Sequence, residues 1–352
     1  MDRRQSLRHL PLHSCSFLLH AALGVVAALV MLSGPALAGE KKPPEDAGDK
    51  ARPAEDPSLV GEVVSEKSEY ENLLFTEYRK RRTAHFFFET SYDMDACKDY
   101  IAFLEQQYRD FLKWAGKPAD TDLWGTRAHA VLVHNKAEWE ALMTQMTRGQ
   151  PPHVVEALKN GSGTHQASPP ALVAYSSAGS DPLNDKMLMF HNLNHLFLYG
   201  LAGAGGEALL PWLFEAFSWH RSFEVFGHQG SSCMGFGTVV GRDDDRAWND
   251  VDDWVALLQR DAALKQDEDF TLFWHKDLTS IATKTYVKSW SIVRYLLRDE
   301  KEKAKLVSFV SMLKSKPDQA RALKETCSVT GEELDKDWRV WIRKQPSRWR
   351  KE

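Results

Sequence analysis

Apolar residues change their spacing twice along this chain. FLLHAALGVVAALVML (17–32) is a nearly unbroken apolar run. From 84 to 177 short apolar blocks alternate with longer periodic ones, and beyond 180 the periodic blocks dominate. The three phenylalanines of AHFFFETSY (84–92), bounded by polar residues, predict a strand, because the run is too short for a helix. DACKDYIAFLEQQYRDFLKWAG (95–116) predicts an amphipathic helix. Its Tyr100, Phe103, Leu104, Tyr108, Phe111 and Leu112 recur at spacings of three and four, and Gly116 ends it. RAHAVLVHN (127–135) alternates and is a second strand, KAEWEALMTQM (136–146) a helix, and PALVAYSS (170–177) a third strand. RGQPPHVVEALKNGSGTHQASPP (148–170) reads as a long loop with one helical turn. The fold class is therefore α+β: a small N-terminal β-sheet with helices over 60–180, then a mostly helical part over 181–349.

The candidate chemistry lies where the pattern changes. DPLNDKMLMFHNLNHLFLYG (181–200) opens with Asp181 as N-cap and Pro182 at the first helical position, and runs to Gly200 without a breaker. Residues four apart share a helix face, so His191 and His195 project together and can converge on one cation. PWLFEAFSWHRSFEVFG (211–227) predicts a second helix with so little polar face that it must be buried. Glu215 sits inside that apolar run, and a buried carboxylate needs a cation, a metal or several donors. A helix–turn–helix fold through the glycine-rich segment 200–206 brings Glu215 to the two histidines. Two neutral imidazoles and one carboxylate are a zinc ligand set with a fourth position open. The rival reading is a decayed site in which the three side chains only hydrogen-bond to one another.

The order of these motifs resembles the gluzincin metallopeptidases of the peptidase MA superfamily. Their H-E-x-x-H helix is followed by a second helix reading roughly W-[LF]-x-E-[GA]-x-[AS], matched here by PWLFEAFS. TKTYVKSWSIVRYLLRD (283–299) is similar to a downstream family helix. ALKETCSVTGEELDKDWRVWIR (322–343) is similar to the closing helix pair, with GEELDKDW as the link into the last helix. The resemblance covers about residues 84 to 343 and implies a zincin-like fold with zinc on His191, His195 and Glu215. The departure is Asn192. The family keeps a glutamate there, which takes a proton from zinc-bound water and passes it to the leaving amine; an amide cannot do this at neutral pH. No catalytic residue is therefore assigned. Asn192 and Tyr286 are the substrate-cleft candidates, and position 192 is expected to face the cleft with room for a glutamate. Tyr286 also fits a core stripe with Trp290, Val293 and Leu297.

Other polar groups carry less. His220 and His228 read as surface imidazoles. GRDDDRAWNDVDDW (241–254) lacks EF-hand spacing and reads as a solvated loop, and EKEKAK (300–305) as a solvated helix end.

Composition then bounds the function. The chain has 352 residues, 43% of them hydrophobic and 27% charged, as in ordinary globular proteins. The 12 tryptophans indicate a well-filled core ahead of an aromatic-lined groove. Of the net charge of -4, residues 1–38 carry +2 (Arg3, Arg4 and Arg8 against Asp2), leaving -6 on the remainder and no basis for nucleic-acid binding. The arginines, the apolar run and the small residues Ala36 and Ala38 form a signal peptide (1–38) cleaved after Ala38, by the Sec or the twin-arginine route. The run is short for a membrane span, so no integral span remains after cleavage. Residues 39–59 are a disordered tether of Pro, Gly and mixed charge. After cleavage Cys97, Cys233 and Cys327 remain, allowing at most one intrachain disulfide.

Three functions follow. The foremost is an exported, non-catalytic peptidase-like protein that keeps zinc and uses the old cleft for a peptide or protein ligand. The second is a zinc hydrolase with a substitute base, Glu207 or Glu224. The third is a metal-free structural protein of the cell envelope.

Overall fold

The three strands read from the sequence form the middle of one six-stranded mixed sheet. The computed structural model describes residues 57–65, 79–92, 94–177, 181–203, 210–227, 253–276 and 281–346. Strands β1 (Glu62–Val63), β2 (Arg79–Arg82), β3 (Phe86–Thr90), β4 (Ala128–Val133), β5 (Gly163–Ala167) and β6 (Pro170–Tyr175) lie in the order β1-β2-β3-β4-β6-β5. β3, β4 and β6 are parallel, and the two flanks, β1-β2 and β5, run antiparallel to their neighbours. Helices α2 (Met94–Trp114) and α3 (Lys136–Met146) provide the parallel crossovers, and a short helix α1 (Pro57–Val60) packs on α2. The last three residues of the expected tether are thus helical.

The two sheet faces sort as period-two alternation requires. Phe86, Phe88, Ala128, Ala130, Leu132, Leu172 and Ala174 face the main core, which continues through α2 into the helical part. Val131, Val133 and Val173 face the other way, onto Trp139, Leu142 and Met143 of α3 and Leu158 of α4 (Pro152–Asn160). The fold is α+β, with the sheet in the N-terminal part and the remainder mostly helical.

The segment expected as a long loop differs. Residues 148–170 hold α4 and β5. α4 starts at Pro152 in the first turn, and Gly161 closes it. GTHQA has no β-branched run; it becomes a strand through its ladder to β6, where Thr164 lies opposite Val173 and His165 opposite Leu172. The charged β2, RKRR, is likewise a strand only by pairing, with β1 and β3 on its two sides.

The helical part follows as α5 (Pro182–Ala202), α6 (Pro211–Phe226), α7 (Trp254–Leu264), α8 (Phe270–Phe273), α9 (Thr283–Leu296), α10 (Glu300–Met312), α11 (Gln319–Cys327) and α12 (Gly331–Ile342). Asp181 caps α5 by accepting from the Leu183 amide at 2.9 Å, and α6 ends at Gly227 with φ 75°. EKEKAK is a solvated helix end, the opening of α10, capped by Asp299. GEELDKDW lies inside α12, behind a capping box of Thr330 and Glu333. Six tryptophans (139, 212, 219, 254, 290 and 338) are fully buried, so the core reading holds for them. α9, α12 and the residues before α8 are clamped together by Lys288, which is 1% exposed and ion-paired to Asp267 (2.7 Å) and Asp335 (2.6 Å). Arg339 closes the cluster on the same two aspartates. Among the described residues no helix is long and apolar enough to cross a membrane.

Candidate metal centre

α5 and α6 pack against each other, and their facing sides bring the two histidines and the glutamate together. His191 and His195 are one turn apart on α5, with Nε2 atoms 3.2 Å apart. Oε2 of Glu215, on α6, lies 3.4 Å from the first and 3.6 Å from the second. A tetrahedral ion with ligands at roughly 2.0–2.1 Å needs ligand atoms about 3.3 Å apart, and this triangle has those edges. Ser218 Oγ donates to the His191 carbonyl at 3.3 Å and Trp219 Nε1 to Glu215 Oε1 at 2.7 Å, so the second carboxylate oxygen turns to the histidines. All three ligands are fully buried. Burial holds the His191 imidazole below its usual range against the pull of Glu215, and so neutral. Burial works against ionising Glu215, but His191 and His195 hold it well below the usual carboxylate range. A neutral imidazole and an anionic carboxylate are the states that a metal requires. Together the three residues can hold one metal ion.

Asn192 does not open onto a cleft. Its side chain is fully buried. Nδ2 donates to the Leu188 carbonyl at 2.9 Å, and Oδ1 lies 3.0 Å from Nδ1 of His165 on β5. With Nδ2 fixed as the donor, Oδ1 is the acceptor and His165 carries its proton on Nδ1. The His165 ring stacks on His195, centroids 4.2 Å apart and planes 24° apart. β5 also packs closely on this side chain: a Cβ added to Gly163 would meet Asn192 Nδ2 at 2.9 Å. Nothing in the sequence singled out His165, because THQA gave no strand signal and its nearness to α5 comes from the sheet.

Tyr286 is 1% exposed and its ring packs on Trp219, so it belongs to the core behind Glu215 and not to a cleft. His220 is buried, not on the surface, and pairs with Glu224 at 3.3 Å. Glu224 also holds Arg221 at 2.6 Å. Burial raises its carboxyl, but these partners pull it down to about 2, which unfits it as a base near neutral pH. Cys97 and Cys327 are buried thiols that form no disulfide. Cys233, Glu207, His228, the signal segment and most of the aspartate-rich loop lie outside the described residues. No family model and no curated protein matches the chain.

Proposed function

We propose that the chain is an exported protein of the peptidase MA type that holds zinc and does not hydrolyse peptides. The observation that carries this reading is the pairing of a ligand triangle of zinc dimensions with an amide at position 192. That amide is fully used, donating to Leu188 and accepting from His165. Two imidazoles with a carboxylate favour zinc over the harder oxygen-seeking ions. Zinc there would supply a Lewis-acid charge at the junction of α5 and α6. The chain's own residues would hold it in place and keep water out, since all three ligands are fully buried. A peptide bond cannot approach these atoms unless β5 or another covering segment moves. Any peptide or protein ligand therefore binds elsewhere on the surface or after such a movement.

Elemental analysis and peptide turnover on the mature protein test the reading. The expected result is one zinc per chain, lost in His195→Ala, with no chelator-sensitive peptide hydrolysis. Absence of zinc after metal-replete purification would favour the metal-free envelope protein. Hydrolysis lost on adding chelator would establish the hydrolase. N-terminal sequencing of the exported protein should begin at Gly39.

A further inference from the structure

We infer that His165 and Asn192 form a latch that holds the metal centre shut, so that metal enters and leaves when β5 lifts from α5. The inference rests on the metal-holding reading of His191, His195 and Glu215. Among the described residues β5 is the last strand of the sheet, five residues long and bonded to β6 alone. It lies directly on the metal helix. A Cβ on Gly163 would stand 2.7 Å from Leu188 Cδ1 and 2.9 Å from Asn192 Nδ2, so the backbone approaches α5 as closely as only glycine permits. One alternation further on, His165 points to the same face, 3% exposed. It is held by Asn192 at 3.0 Å and covers one face of the His195 ring. An edge strand tied on one side is the cheapest element of a sheet to detach, because only one ladder opens.

Asparagine suits this duty where a carboxylate would not. Its amide donates into the α5 backbone at Leu188 while its carbonyl accepts from His165. A carboxylate has no proton for the first bond. The residue that removes the general base is thus the residue that fastens the strand. His165 acts here as a positioning residue, through Asn192 and on His195.

Metal release tests the latch. The full mature protein is loaded with zinc and mixed with excess chromogenic chelator, and the release rate is followed alongside Tm and zinc stoichiometry. Release should be slow in the wild type. His165→Ala and Asn192→Ala should each still take up one zinc and release it roughly 10–100-fold faster, the scale on which partners behind metal ligands act. His165→Gln keeps a donor for Asn192 and should recover part of the slow release. If an alanine variant fails to fold, deuterium exchange of the wild-type β5 amides substitutes: they should open at the rate of metal release. Release at the wild-type rate from folded, zinc-loaded His165→Ala and Asn192→Ala overturns the latch and leaves the metal centre standing. So does β5 exchange uncoupled from release. A wild type that takes up no zinc overturns the metal centre and the latch with it.

Discussion

Trp219 donates from its indole nitrogen to Glu215 Oε1 at 2.7 Å, one turn further along the same helix. The bond holds the carboxylate so that Oε2 meets His191 and His195. Trp219 is itself packed between Trp254 (5.3 Å between centroids) and Tyr286 (6.0 Å). The tryptophan-rich core therefore sets the orientation of the Glu215 carboxylate. Trp219→Phe keeps an aromatic ring and loses the donor. Zinc affinity should fall roughly 10–100-fold, measured by chelator competition, while far-UV circular dichroism stays that of the wild type.

Lys288 is the second place where the helical part depends on one polar side chain. Its ammonium is buried between Asp267 and Asp335. Lys288→Met leaves those carboxylates buried with Arg339 as their remaining cation. Stability in urea should drop by about 3–5 kcal/mol, the usual loss when one member of a buried pair is removed. The exposed pair Lys324 and Glu333, at 3.2 Å, is the control. Lys324→Met should change stability by about 0–1 kcal/mol. Equal losses in the two variants would refute the clamp.

Acid should act on Glu105. This buried carboxylate of α2 accepts from the His85 backbone N–H at 2.9 Å and faces the His85 ring Nδ1 at 2.7 Å. Burial pushes its pKa up, but these hydrogen bonds prevail and hold it below the usual carboxylate value. A lowered folded-state pKa contributes stability above the unfolded carboxylate range, and that contribution is lost as pH falls through the folded value. Glu105→Gln should therefore be less stable than wild type at pH 7 by about 1.5–3 kcal/mol. The gap should close as pH is lowered below the usual carboxylate range and through the folded value. A gap that stays constant with pH would mean that Glu105 acts by shape and not by charge.

The legibility of the sequence followed a physical rule. Elements with strong local signals were readable: Asp181 and Pro182 opening α5, Pro211 and Gly227 bounding α6, and the phenylalanines of β3. The His191 and His195 pair was readable because helical spacing fixes which side chains share a face, and Glu215 because a carboxylate stands out in an apolar helix. β5 and β2 were not, because GTHQA and RKRR become strands only through partners distant in sequence. The cost of missing β5 was the site's surroundings. Without it, position 192 faces an empty cleft, and with it, position 192 faces His165.

Asn192→Glu is consequently a different experiment from a simple restoration of H-E-x-x-H. The longer side chain meets the close packing of β5, where Gly163 already stands against Leu188 and Asn192. It also lacks the donor that binds the Leu188 carbonyl. Overpacking of a filled core typically costs about 1–3 kcal/mol. The variant should lose stability on that scale, release zinc faster than wild type, and show no chelator-sensitive peptide hydrolysis. Gly163→Ala should have a similar effect on stability and release, since its new Cβ presses on the same two side chains. Melting curves and chelator release on both variants check this. If Asn192→Glu instead matches the wild type in stability and gains peptide hydrolysis, β5 yields easily, and the centre is an open site lacking only its base.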